Sequence, residues 1–79
     1  MPKKLSIEYC TAWGYLGKAV GLAESLLNEY KNRIDELILI PSEGGVFEVK
    51  LDERLVFSKK SLGRFPEDDE VESGIREQI

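Results

Sequence analysis

Residues 7–15 read Ile7-Glu8-Tyr9-Cys10-Thr11-Ala12-Trp13-Gly14-Tyr15, and they hold the only cysteine and the only tryptophan of the 79-residue chain. Upstream, residues 4–9 alternate, with Leu5, Ile7 and Tyr9 on one face, which predicts a strand. Downstream, Leu16, Ala19, Val20, Ala23, Leu26, Leu27, Tyr30 and Ile34 form a helical apolar stripe, leaving Lys18, Glu24, Asn28 and Lys31 to solvent. The stretch is therefore a strand-to-helix turn, with Thr11 a candidate helix cap and a loop running as far as Gly14. A cysteine so placed lies at or just before a helix N-terminus, where unpaired backbone N–H groups and the helix dipole favour the thiolate. Its sulfur is expected at the lip of the sheet, open to solution. A second cysteine three residues on would complete a redox pair, but that position is Trp13.

Working outward, residues 36–40 are short, apolar and closed by Pro41, which predicts a second strand buried on both faces. A strand, a helix and a strand joined in this way form a right-handed parallel unit. Residues 42–45 make a turn, and residues 46–51 alternate with Phe47, Val49 and Leu51 on one side. Residues 54–58 return as the second arm of a hairpin, with Leu55 and Phe57 inward. Residues 59–66 read as a loop. The acids at 67–70 suit a helix N-terminus, and Val71, Ile75 and Ile79 follow at i, i+4 spacing. The order is β-α-β-β-β-α in one domain spanning residues 1–79. The economical packing is an α/β fold of the two-layer α+β kind. It has a four-stranded mixed sheet in the order 2-1-3-4 and two helices on one face. That topology brings Cys10, residues 41–46 and residues 59–65 to a single sheet edge, where open α/β sheets bind ligands.

Composition narrows the chemistry. A chain of 79 residues buries only about 60–65% of the surface it exposes when unfolded, so the core is small. The net charge of −4 argues against nucleic acid, which calls for a basic face. The longest apolar run, residues 37–40, is far too short to span a bilayer, so no membrane association is expected. The basic residues at 1–4 lack a following apolar segment, so no secretory signal is expected. Without histidine there is no Ser-His-Asp triad, no Cys-His pair and no imidazole metal ligand, and a lone cysteine cannot build a zinc site. A lone cysteine also forms no internal disulfide, which fits a reducing, cytoplasmic setting.

Four separated motifs carry a resemblance. Ile-Glu-Tyr-Cys at 7–10, Gly-Gly-Val-Phe-Glu-Val at 44–49, Ser-Lys-Lys at 58–60 and Gly-Arg-Phe-Pro at 63–66 resemble the selenoprotein W-like (Rdx) family, in order over nearly the whole chain. The resemblance implies a thioredoxin-like fold and a cytoplasmic protein of cell redox homeostasis. It also implies no bound cofactor, glutathione as co-substrate and thiol-containing protein partners. The family's redox motif is Cys-x-x-Cys or Cys-x-x-selenocysteine, and here Cys10 fills its first position and Trp13 its second. Tryptophan codons differ by one base from cysteine codons and from the codon used for selenocysteine. Trp13 is therefore read as standing where cysteine or selenocysteine is native, and an ordinary tryptophan codon at position 13 of the native gene would overturn that reading.

The candidate catalytic positions are thus Cys10 and Trp13. Thr11, Ala12, Gly44, Gly45, Val46, Lys59, Lys60 and Arg64 are the candidate substrate-binding residues. The glycine pair would allow close approach of glutathione or a substrate peptide to the backbone. The basic residues would lower a thiolate pKa or pair with glutathione carboxylates. With one thiol the available chemistry is a mixed disulfide, or a sulfenic acid resolved by an outside thiol. A competing reading is a non-enzymatic interaction module docking at the edge around Cys10 and residues 44–46. Its uncovered sheet face would show Val46, Val56 and Leu37 or Leu39, and the protein would be a monomer or weak homodimer.

Overall fold

The computed structural model describes residues 3–79; the part of the N-terminal signal reading that rests on residues 1 and 2 lies outside them. The strands are β1 (Lys4–Cys10), β2 (Glu36–Ser42), β3 (Phe47–Leu51) and β4 (Arg54–Ser58). The helices are α1 (Tyr15–Tyr30), α2 (Lys59–Leu62) and α3 (Glu70–Arg76), and a 3-10 turn at Lys31–Arg33 follows α1. The sheet order is β2-β1-β3-β4. β1 runs parallel to β2 and antiparallel to β3, and β3 is antiparallel to β4, as the sequence predicts.

Register explains the core. Leu37, Leu5 and Leu51 form one row across the sheet, and Leu39, Ile7, Val49 and Phe57 form the next. Onto these rows α1 lowers Ala19, Ala23, Leu26 and Tyr30, and α3 lowers Val71 and Ile75, so both helices share one core cluster on one face. Each large side chain sealed in this way contributes about 1.5–3 kcal/mol. Three polar ties join the helices, one of them the ion pair of Arg76 with Glu29 at 2.7 Å. The Tyr30 hydroxyl donates to the Glu72 carbonyl at 2.5 Å, and the Ser25 hydroxyl donates to the Glu72 carboxylate at 2.6 Å. Burial pushes the Tyr30 hydroxyl's pKa up, with the neighbouring Glu29 charge adding to it.

Several expectations are corrected. The apolar stripe of α1 is narrower than its sequence suggests, because Leu16, Val20 and Leu27 stand exposed to one side of it. A helix lying on a flat sheet touches it along one narrow line, so residues at the margin of the stripe stay wet. Ile34 is buried, but it lies beyond the 3-10 turn rather than on the helix. β2 is not buried on both faces: it is an edge strand running through Pro41 to Ser42, with Ile38 and Ile40 exposed. Proline is tolerated there because an edge strand has one side without ladder partners.

β4 breaks alternation at a bulge. Phe57 pairs with Val49 but Leu55 pairs with Lys50, so Val56 is the extra residue. Val56 consequently packs against the core and Leu55 is turned out, the reverse of the sequence expectation for both. The open sheet face therefore shows Ile38, Ile40 and Leu55, while Leu37, Leu39 and Val56 pack against the core. Residues 59–62, read as loop, form the single turn α2, because the Ser58 hydroxyl accepts from the Ser61 amide at 3.1 Å.

Candidate functional site

The sheet edge formed by the ends of β1, β2 and β4 and the start of β3 gathers most of the candidate residues. Cys10 stands opposite Ser42, and Tyr9 stands opposite Phe47. The Cys10 amide donates to the Val46 carbonyl at 2.9 Å, and the Thr11 amide donates to the Ser42 carbonyl at 3.1 Å. The strand end is thus clasped from both sides by the two ends of the 42–46 turn. A shallow cleft of about 400 Å³ opens beside it, lined by Thr11, Pro41, Ser42 and Glu43.

The two motif positions differ sharply. Cys10 is the last residue of β1 and only 2% exposed, so the expectation of an open sulfur at a helix start is corrected. α1 begins at Tyr15, five residues later in the chain, and Thr11 does not cap it. Trp13, by contrast, is 79% exposed, and it sits directly before Gly14, the residue at the head of α1. Gly14 adopts φ 77, and no side chain caps the helix and no acid lies in its first turn. The unpaired amides of that turn, and the positive end of the helix dipole, therefore belong to position 13 rather than to position 10.

Aromatic side chains extend the site in a way the sequence reading missed. Trp13 and Tyr15 have ring centroids 6.2 Å apart, Tyr15 and Phe65 4.8 Å, and Phe65 and Phe47 5.4 Å. A Cβ added at Gly45 would meet the Trp13 ring and the Tyr15 hydroxyl oxygen at 3.8 Å, so this glycine does approach the motif closely. Lys59 holds its ammonium 5.5 Å from the Phe65 centroid and 5.7 Å from that of Tyr15. Lys18, read as merely solvated, stands 4.6 Å from the Phe65 centroid. The signal that could have found this group was already in the sequence, where Tyr15 closes the opening stretch and Phe47 and Phe65 lie within two of the motifs. Beyond the rings, a groove of about 410 Å³ runs along α1, lined by Lys18, Leu22, Phe47, Phe65, Pro66 and Glu72 among others.

Local hydrogen bonds position these side chains. Glu48 accepts from the Ser58 hydroxyl at 2.5 Å and from the Lys60 amide at 3.2 Å, fixing the turn that carries Lys59. Gly63, at φ 75, closes α2 by donating to the Lys59 carbonyl at 2.7 Å. Arg64 does not join the site. It forms a bidentate pair with Glu70 at 2.7 and 3.0 Å, and the Glu67 amide bonds the same carboxylate at 2.9 Å, which anchors the segment presenting Phe65. That pairing lowers the Glu70 carboxyl to about 2. Lys60 and Gly44 are exposed on their turns, and Ala12 is exposed in the loop. Among the described residues no group of acidic or cysteine side chains is arranged to hold a metal ion.

A family model described as the Rdx family matches residues 4–77. The chain belongs to the Rdx family. This is the selenoprotein W-like family to which the sequence motifs pointed. The crystal structure of a Bordetella parapertussis protein, 28% identical, superposes with a TM-score of 0.94 over 100% of both chains. A selenoprotein W-related protein from Vibrio cholerae, 24% identical, superposes with a TM-score of 0.92, covering 99% of this chain and 98% of that one. A thioredoxin-like protein from Bacillus cereus, 15% identical, superposes with a TM-score of 0.59 over 99% of this chain and 90% of that chain. Comparison with curated protein sequences gives no match. The fold of this Rdx chain is thioredoxin-like, and family and fold together support a role of the thiol-redox type.

Proposed function

We propose that this chain is a selenoprotein W-type thiol-redox domain whose reacting position is 13, with Cys10 the buried second thiol of the pair. The observation that carries this reading is the contrast in exposure, 79% at Trp13 against 2% at Cys10. An attacking sulfur needs access and stabilised thiolate character, and position 13 has both solvent and the uncapped start of α1. A buried thiol serves better as the group that resolves a mixed disulfide from inside.

With tryptophan at 13 the chain as written lacks the open thiol, which impairs exchange. Cys10 reacts only after its strand end loosens, and its chemistry is then monothiol: Cys10 attacks one sulfur of oxidised glutathione, forms a mixed disulfide and releases one glutathione thiolate. Glutathione or a thiol-bearing protein is the proposed co-substrate, in a reducing, cytoplasmic setting. Lys59 and Lys18 beside the aromatic rings and the cleft at Thr11 would receive it.

The decisive experiment is Trp13→Cys. The new thiolate should attack oxidised glutathione and release one glutathione. Cys10 then displaces the second, leaving a 10–13 disulfide and two reduced glutathione molecules for each oxidised one consumed. The parent chain should show Cys10 alkylation at least tenfold slower than a free cysteine, because a buried thiol is inert. A variant that forms no 10–13 disulfide would sink the redox reading. One observation favours a second function, a non-enzymatic interaction module: the exposed Trp13 heads a row of aromatic rings at this edge. On that reading Trp13→Ala abolishes partner binding and Trp13→Cys gains no exchange.

A further inference from the structure

β2 carries apolar side chains on both faces of an unpaired edge. Its inner side is fixed by the Ser42 carbonyl, which accepts from Thr11 at 3.1 Å, and by the Glu36 amide, which donates to Lys3 at 3.4 Å. Main-chain groups alternate along a strand, so residues 36, 38, 40 and 42 turn towards β1 while 37, 39 and 41 turn to the free edge. Pro41 has no amide hydrogen, so the edge offers the donors of Leu37 and Leu39 and the carbonyls of all three residues. On the open face Ile38 and Ile40 are 45% and 40% exposed. On the other face, Lys18, Leu22 and Ser25 line the α1 groove toward Phe65, so the exposed Leu16, Val20 and Leu27 lie on the opposite flank of α1, on the β2 side of the sheet. Edges of this kind are normally blunted by charge, proline or cover, and between Glu36 and Pro41 the run Leu37 to Ile40 carries neither charge nor proline.

We infer that this edge pairs antiparallel with the same edge of a second copy of the chain, about a two-fold axis at Ile38. In that register Leu37 of each copy faces Leu39 of the other as a hydrogen-bonded pair, and every outward amide of the strand finds a carbonyl. Pro41 falls opposite Asp35, whose own amide already donates to Lys3 at 2.9 Å, so this pair adds no ladder bond and the two carbonyls, on exposed residues, stay with water. Charges also match: the end carrying Arg33 meets the end carrying Glu43 of the second copy, and neither residue makes an ion pair within its own chain among the described residues. Shifting the axis by one residue to Leu39 would instead set Asp35 opposite Glu43, like against like. The C-terminal ends of the two β2 strands point to opposite ends of the joined sheet, so Trp13 and its aromatic neighbours stay clear of the seam, while Arg33 of the second copy borders the cleft lined by Pro41 and Glu43. A single strand pair and its flanking side chains fall short of the roughly 1,200 Å² that stable interfaces bury, so the dimer is weak and concentration-dependent. Pairing at this edge uses neither Cys10 nor Trp13.

Sedimentation equilibrium in reductant, from about 10 μM to about 1 mM, tests it together with amide exchange at the top and bottom of the range. A monomer–dimer equilibrium is expected, with the Leu37 and Leu39 amides protected only at high concentration. Arg33→Glu should weaken association about tenfold, because the two-fold axis reverses two charge pairs at once, and Arg33→Glu with Glu43→Arg should restore it. Ile38→Lys, at an exposed position that leaves the core intact, should abolish it. A chain monomeric throughout overturns the proposal. So does a dimer that ignores Arg33→Glu and Ile38→Lys, or one that leaves the Leu37 and Leu39 amides unprotected.

Discussion

Trp13 has φ 58 and is followed by Gly14 at φ 77, so two consecutive residues occupy the left-handed region. For a bulky residue that conformation costs about 1–2 kcal/mol, and the cost is borne at the large, exposed side chain just before α1. Strain of this kind marks a place where the backbone, not the side chain, is being specified. Glu70 carries a sharp electrostatic signature, held at about 2 by Arg64 and by the Glu67 amide. A carboxyl depressed in the folded state stabilises it above the ordinary value of 4.5, and the contribution is lost as pH falls toward about 2. Glu70→Gln should therefore melt below the parent at neutral pH, and the two melting temperatures should converge by about pH 2. Because the pair lies at the surface, the gap should be small and should shrink further in high salt, which thermal melts at two ionic strengths will show.

At the scale of elements, α1 is a helix whose own sequence only partly favours it. Gly17 and Gly21 lie inside it, and nothing stands within 4 Å of where a Cβ would be at either position. Gly21→Ala should accordingly stabilise the protein by about 0.8–1 kcal/mol, read from urea unfolding midpoints. Gly74 in α3 differs, because a Cβ there would lie 3.1 Å from the Val56 methyl, so the same substitution gains its propensity against crowding. The bulge in β4 is what brings Val56 to that spot. Helix propensity was legible in the chain, whereas the contact that decides whether an alanine fits was not.

For the whole molecule, stability rests on one small core cluster. Leu26 is fully buried in it from α1. Leu26→Ala should cost about 2–5 kcal/mol, measured by denaturant titration, and a chain of this size has only about 4–12 kcal/mol in total. The variant should therefore populate unfolded molecules visibly at elevated temperature. The candidate site, at the sheet edge and away from Leu26, should lose affinity only in proportion to the unfolded fraction.

Element order and strand pairing were readable in the sequence because both follow from local periodicity and from the rules of short connections. Alternation at Leu5, Ile7 and Tyr9, the stripe through Ala19, Ala23 and Leu26, and the hairpin turn at Asp52 are encoded within a few residues of themselves. The motif positions were legible for the same reason. What tertiary structure alone decided was exposure: which of Cys10 and Trp13 meets solvent, which face of β2 stays dry, and that Arg64 is occupied by Glu70 rather than free. Those outcomes depend on partners distant in sequence, such as Val46 against Cys10 and Glu70 against Arg64, and on a bulge that reverses the inward set of β4. Periodicity reports which residues share a face, but only the packed neighbours determine whether that face is covered.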